Sequence, residues 1–245
     1  MLSRAFFVPR IVMDNGVNMQ NNMIFENRRE AGRALARRLM GYTGQNPVIY
    51  ALPRGGAPVA AEIAQRLAAP LDLILVRKLG APHQPELAIG AVVDGAAPTL
   101  ILHDNIIRHL GVSEKYIMLA KSKALSEIER RRKIYLKGRP PISPKNKTVI
   151  IVDDGLATGA TMEAAINAVR QAGPKHIIVA VPAAPVDTLS RLEKLADEMI
   201  CLTTPQPFWS VGGCYRSFPQ LSDDDVIACL NECANSNGQE ETRSA

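Results

Sequence analysis

Residues 149–161, Val-Ile-Ile-Val-Asp-Asp-Gly-Leu-Ala-Thr-Gly-Ala-Thr, bring apolar, acidic, small and hydroxyl-bearing side chains into one short run. Four apolar residues predict a buried strand, two carboxylates emerge at its tip, and a turn of small residues opens onto a helix. Such a turn can gather backbone N–H groups and the hydroxyls of Thr158 and Thr161 around a phosphate, with the helix N-terminus adding favourable dipole charge. Gly155 and Gly159 permit close approach of the backbone. Carboxylates beside a phosphate are a poor choice by charge, yet Asp153 and Asp154 suit hydrogen bonds to the 2- and 3-hydroxyls of a ribose. A sugar phosphate satisfies both halves. The alternative, that the two acids only cap a helix, leaves the rest of the pattern without a reason. No Gly-Lys-Ser/Thr ending follows, and no dinucleotide fingerprint is present.

These residues need a frame, and the sequence on either side supplies one. A helix is predicted over 27–40, with Ala31, Ala34, Leu35 and Leu39 on one side and Gly41 as its stop. The apolar run 48–52, the break Pro53-Arg54-Gly55-Gly56 and a helix over 57–68 make strand, loop, helix. A second apolar run, 71–76, ends at Arg77 and Lys78 and leads into a Pro- and Gly-rich region. Within it, 87–93 and 99–102 flank Asp94-Gly95-Ala96-Ala97-Pro98 as a β-hairpin. Ser113 caps a long helix reaching about Tyr135. Strand 148–152, helix 158–172, strand 176–181, helix 185–195 and strand 198–202 follow. Apolar strands alternating with helices predict a parallel β-sheet flanked by helices, an α/β fold of Rossmann-like type. In such sheets ligands bind beyond the carboxyl ends of the strands, where both the acidic loop and the Pro53–Gly56 break lie.

The bulk properties fit one domain of this kind. The chain has 245 residues, 47% hydrophobic and 22% charged, which suggests neither disorder nor a membrane class. The apolar run at Phe6 and Phe7 is cut short by Pro9, Arg10 and Asp14 before a signal-peptide core could form, so a cytoplasmic location is expected. The net charge of +5 suits anionic substrates as well as nucleic acid. Cys201, Cys214, Cys229 and Cys233 lack paired C-x-x-C spacing and read as buried, inert thiols. His83, His103, His109 and His176 show no ligand spacing. The expected organisation is an arm over 1–22, a domain over 23–235 and a disordered tail over 236–245.

Over its thirteen positions the acidic loop resembles the motif with which type I phosphoribosyltransferases bind 5-phosphoribosyl-1-pyrophosphate (PRPP), and the resemblance extends over about residues 45–205. It implies a hood subdomain at about 80–140 and displacement of pyrophosphate from C1 of PRPP by a nitrogen nucleophile. Gly155, Leu156, Ala157, Thr158, Gly159, Ala160 and Thr161 would hold the 5-phosphate. Asp153 and Asp154 would act on the ribose hydroxyls or on metal-bound water, with Mg as the cofactor. The Pro53–Gly56 break is similar to the family's pyrophosphate loop, which often carries a cis peptide; Arg54, Gly55 and Gly56 would serve the pyrophosphate. Arg77 and Lys78 resemble a pair that adenine-type members carry before their mobile loop, so they too are assigned to pyrophosphate, and Lys78 joins Asp153 and Asp154 in the catalytic set. An exposed pair at a strand end is the alternative.

The segment from Gly80 to about Pro98 is expected to be a flexible cover, although Pro82, Pro85 and Gly90 equally fit an ordinary long loop. Phe208 and Trp209 are candidates for stacking on the acceptor, with core packing as the competing role; Tyr215 and Arg216 share that ambiguity. Ala157 stands where hypoxanthine/guanine members keep an aspartate, which disfavours a 6-oxopurine. The basic run Arg130-Arg131-Arg132-Lys133, with Lys137 and Arg139, reads as a solvated helix end more readily than as a nucleic-acid contact. The expected partners are PRPP and an unidentified acceptor, with no membrane, no nucleic acid, and a homodimer left open. The alternative is a regulator of the same fold that senses PRPP while binding nucleic acid or a protein.

Overall fold

Burial on both faces is what turns the apolar runs into a parallel sheet. The computed structural model describes residues 10–12, 24–94 and 98–241. Along the chain come β1 (Arg10–Val12), α1 (Arg28–Leu39), β2 (Pro47–Ala51), α2 (Gly56–Leu67), β3 (Leu71–Leu73), β4 (Val76–Ala81), β5 (Gln84–Val93) and β6 (Thr99–Leu102). Then follow α3 (Asp104–Leu110), α4 (Glu114–Leu136), β7 (Thr148–Val152), α5 (Ala160–Gln171), β8 (His176–Ala183), α6 (Val186–Leu192), β9 (Glu198–Thr203) and α7 (Asp223–Glu241).

Six strands form one sheet in the order β1-β9-β8-β7-β2-β3, and every neighbouring pair is parallel. The chain builds away from β2 in both directions, to β3 on one side and to β7, β8 and β9 on the other. The order therefore reverses between β2 and β7, whose residues pair from Pro47↔Thr148 to Ala51↔Val152. A crevice opens at such a switch point, at the carboxyl ends of the two strands.

Alternation along the strands sends side chains to two separate cores. Ile49, Ala51, Ile150, Val152 and Ile178 pack with Leu35 and Leu39 of α1, Val59 and Ile63 of α2, and Val226 and Leu230 of α7. Val48, Tyr50, Val149, Ile151 and Val179 pack with Met162 and Ile166 of α5 and Leu189 and Leu192 of α6. Caps set the helix starts: the Asn27 side chain accepts from Glu30 N at 3.0 Å, and Ser113 Oγ accepts from Tyr116 N at 3.3 Å.

A second sheet, β4-β5-β6, is antiparallel throughout, and α4 packs against it. Here several expectations need correction. The apolar run 71–76 is two strands: β3 pairs with β2, while Val76 already belongs to β4 in the other sheet. The chain leaves the first sheet because Leu75 N turns to the Asp94 carboxylate at 2.8 Å. The segment after Gly80 is no loose cover but two strands reversing at Pro82 and His83, so Arg77 and Lys78 lie inside β4, paired with Val92 and Ala91, and do not end a strand. Helix α3 follows the expected hairpin, whose tip at 95–97 lies outside the described residues.

Arg10–Val12, in the stretch read as an arm, pairs with β9, and positions 236–241 belong to α7. Residues 1–9, 13–23 and 242–245 lie outside the described residues. Among those described, no helix is long and apolar enough to cross a membrane. All four cysteines are free and buried, and burial pushes the thiols of Cys201 and Cys233 up to about 12 and that of Cys229 to about 11.

Candidate active site at the strand switch point

The two loops that sequence alone marks for chemistry meet at the switch point. Leu52 N donates to Val152 O at 2.9 Å, extending the pairing of β2 and β7 one step beyond Ala51 and tying the loops at their base. The Pro53–Arg54 peptide is cis. Gly55 and Gly56 are required by proximity: a Cβ on Gly55 would stand 2.1 Å from Asp154 Oδ2, and one on Gly56 2.6 Å from Val152 O. The small residues thus let the pyrophosphate-loop candidate and the acidic pair touch directly.

Beyond Asp154 the second loop is shaped from beneath. Leu156 is buried and its N–H donates to Ala183 O at 2.9 Å, while Ala157 and Thr158 are exposed. Thr188 Oγ1 donates to Ala157 O at 2.8 Å, and the Arg191 guanidinium donates to Thr158 O and pairs with Glu163. Gly159 adopts φ 69°, the left-handed conformation that glycine takes without strain, and is the N-cap of α5. It brings no side chain to the first-turn N–H groups of that helix, whose dipole favours an anion there. Helix α5 begins at Ala160, two residues later than the sequence suggests, because Thr158 and Gly159 are spent on the turn.

The carboxylates sit in an unfavourable electrostatic setting. Asp153 Oδ1 accepts from Asp154 N at 2.9 Å, and Asp154 Oδ2 accepts from Arg28 Nε at 2.7 Å. Burial, and then the charge of Asp154, push the Asp153 carboxyl well above the usual carboxylate range. Burial also raises Asp154, with Arg28 opposing the shift. Arg54 is exposed, its Nη1 3.9 Å from Asp223 Oδ1 at the start of α7; the same oxygen accepts from Tyr135 OH at 2.6 Å.

Not every expected residue converges here. Arg77 and Lys78 are both exposed neighbours in β4, and among the described residues no contact ties either to the acidic loop. Phe208 is half-buried against the small cluster that contains Phe25, Ala183, Cys214 and Tyr215, whereas Trp209 is 87% exposed. Tyr215 is buried, and its hydroxyl donates to Asp154 O at 2.6 Å, so it supports the acidic loop and offers no stacking face. Arg216 reaches Glu26 at the surface.

The basic run is largely neutralised within the molecule: Arg130 and Arg131 pair with Glu127, Lys133 with Glu129, and Arg132 with buried Asp94. Arg139 donates to Leu230 O and Asn231 Oδ1 in α7. A separate cavity of about 410 Å³, lined by Tyr50, Asp94, Arg132 and Val169 among others, shares no residue with either loop.

Sequence reasoning missed Arg28, Arg191, Phe218 and Asp223. Arg28 and Arg191 reach the acidic loop from α1 and α6, Phe218 stacks under the Arg28 guanidinium, and none of these carries a local motif. An arginine in the first turn of α1, against the helix dipole, was the one signal available for Arg28.

Comparison with known proteins follows the same lines. Residues 20–217 match the family model described as the phosphoribosyl transferase domain. Two curated Mycobacterium tuberculosis proteins, from strains CDC 1551 and H37Rv and provisionally named phosphoribosyl transferases, are each 44% identical over 208 residues, covering 85% of this chain. The chain spans 46% of the length of these relatives. The crystal structure of TT1426 from Thermus thermophilus is 41% identical and superposes with a TM-score of 0.75, covering 86% of this chain and 99% of that one.

Proposed function

The chain belongs to the phosphoribosyltransferase family, and from that membership we propose that it binds PRPP with Mg and transfers the 5-phosphoribosyl group to a nitrogenous acceptor, releasing pyrophosphate. The observation that carries this reading is the meeting, at the switch point, of the acidic pair, the Gly/Thr turn that opens α5, and the Arg54 loop.

On this reading the backbone amides of 155–161 and the hydroxyls of Thr158 and Thr161 hold the 5-phosphate at the start of α5. Asp153 and Asp154 accept from the ribose hydroxyls. Arg54 and the N–H groups of Gly55 and Gly56 hold the pyrophosphate, which requires Arg54 to turn from Asp223 toward the ligand. Lys78 or Arg77, whichever face of β4 is turned to the crevice, adds positive charge at the leaving group, and the β4-β5-β6 sheet with α4 forms the hood that excludes water. The C1–O bond to pyrophosphate breaks with its electron pair leaving on the pyrophosphate, the acceptor nitrogen forms the new C1–N bond, and the acceptor's proton passes to the departing pyrophosphate or to water. Catalysis is chiefly positional and electrostatic.

The donor set suits Mg held mainly by substrate and water. The acids offer hard oxygens, one of them already engaged by Arg28, and no group of three or more His, Cys, Asp or Glu side chains able to hold a metal occurs among the described residues. Asp153 and Asp154 would therefore hold it through water, and the ion would neutralise charge on the departing pyrophosphate.

PRPP-dependent pyrophosphate release, screened over nucleobases and small amines, tests the proposal: turnover with any acceptor supports transfer, whereas PRPP binding without turnover places the protein with PRPP-sensing regulators. Because Ala157 brings no carboxylate to assist a purine ring nitrogen, hypoxanthine and guanine should trail the best acceptor by about 10²–10⁴-fold in kcat/KM. A highest kcat/KM with either would overturn the inference from Ala157. Phe208 is spent on packing, which leaves Trp209 as the aromatic face offered to an acceptor.

A further inference from the structure

Arg28 occupies a position that helix physics does not favour. It is the first residue of α1, where a cation opposes the dipole, and it is 8% exposed, where a guanidinium is costly unless paired. What it touches accounts for its place. Nε donates to Asp154 Oδ2 at 2.7 Å, Nη1 donates to Pro219 O at 2.9 Å, and the guanidinium carbon lies 3.7 Å from the centroid of the Phe218 ring. Phe218 stacks on Tyr215 with centroids 4.9 Å apart, and the Tyr215 hydroxyl holds the Asp154 carbonyl at 2.6 Å. Against the same carboxylate lies Gly55, where any side chain would collide.

We propose that Arg28 is a positioning residue of the sugar site: its Nε, with the guanidinium held by Pro219 O and the Phe218 ring, donates to Asp154 Oδ2 and orients the carboxylate that meets the ribose. The inference rests on the reading of the acidic pair as the ribose contact. A stacked, planar guanidinium with donors in fixed directions cannot swing away as an ammonium could. Asp153 takes its hydrogen bond from the backbone N–H of Asp154 and feels Arg28 only through its charge, without a direct hydrogen bond to it. The two acids thus differ: one is oriented by its own turn, the other by a helix 126 residues away in sequence.

The test is calorimetric binding of PRPP, ribose 5-phosphate and its 2-deoxy and 3-deoxy analogues to the wild-type chain, Arg28→Gln and Arg28→Lys. Arg28→Gln should weaken ribose 5-phosphate about 10- to 100-fold, the worth of a charged hydrogen bond. For the analogue lacking the hydroxyl that Asp154 meets, the loss should shrink to about twofold or less, because the interaction being positioned is already absent. Arg28→Lys keeps the stem and charge; it should lose about three- to tenfold with the same sparing of that analogue, and it carries the test if Arg28→Gln does not fold. Equal losses for ribose 5-phosphate and both analogues, or no loss at all, overturn the assignment. A wild-type chain that binds neither PRPP nor ribose 5-phosphate overturns the reading of the site, and the role of Arg28 with it; a wild-type chain that binds both leaves only Arg28 at stake.

Discussion

Two pairs of aspartates, each beside an arginine, are set differently: Asp72 and Asp94 are buried, whereas Asp153 and Asp154 are half-buried just beyond the end of β7. Asp72 and Asp94 are 4% and 9% exposed. Asp72 accepts from Leu73 N at 2.7 Å and Ile142 N at 2.8 Å; Asp94 accepts from Leu75 N at 2.8 Å and Arg132 Nη1 at 2.5 Å. Both oxygens of both residues are spent on the protein, and these bonds tie the edge of the parallel sheet to the antiparallel sheet and to the approach to β7. Asp153 and Asp154 receive one backbone N–H and one guanidinium N–H, at the mouth of a crevice and against glycine. A carboxylate with both oxygens bonded to the protein acts as a structural joint; one with fewer such bonds at a strand end keeps more acceptor capacity for a ligand.

The largest effect should come from removing the available pair. Asp153→Ala/Asp154→Ala should abolish PRPP binding in calorimetry while a cooperative urea transition persists. Asp72→Asn/Asp94→Asn should do the reverse, binding PRPP normally and lowering stability by about 1–3 kcal/mol for each disrupted group. Undiminished PRPP affinity in a folded Asp153→Ala/Asp154→Ala variant would erase the distinction.

Next in size, Arg54→Ala should weaken PRPP about 10- to 100-fold, the range for a charged hydrogen bond, yet leave ribose 5-phosphate nearly unchanged, since only PRPP carries pyrophosphate. Equal losses would place Arg54 elsewhere.

The smallest effect sharpens the structural side. Burial raises the Asp94 carboxyl to about 6 despite Leu75 N and Arg132, whereas an unfolded aspartate titrates near about 3.9. The folded state then binds the proton more tightly between those values, so stability contributed by this group rises as pH falls from about 7 toward 4, by roughly 1–3 kcal/mol. In urea titrations Asp94→Asn should remove that rise. An identical pH profile for the variant and the wild-type chain would show that Asp94 is not the group responsible.

Local pattern was enough to read most of the frame. Continuous apolar runs at 48–52, 148–152 and 176–181 and amphipathic spacing in α1, α2 and α5 are decided by residues near in sequence. So is the acidic loop, because its small residues and the helix they open stand together in one run. Where the sequence misled, a distant partner had intervened. The run 71–76 reads as a single strand, but Asp94, nineteen residues on, draws Leu75 out of the sheet. The Gly80–Pro98 region looks like a loose loop by composition, but strand pairing across Gly80 and Gly90 and the packing of α4 hold it as a sheet.

What the sequence by itself determined, then, is the alternation of strands and helices, the switch to small residues after β2 and β7, and the two short runs in which Asp153, Asp154 and Arg54 stand. Only the tertiary structure decided which loops meet, which acids keep acceptor capacity, and that Arg28, Tyr215 and Phe218 brace Asp154. Side-chain type and spacing along a strand or helix are local properties, whereas a guanidinium's partner 126 residues away exists only once the fold has brought the start of α1 against the loop that follows β7.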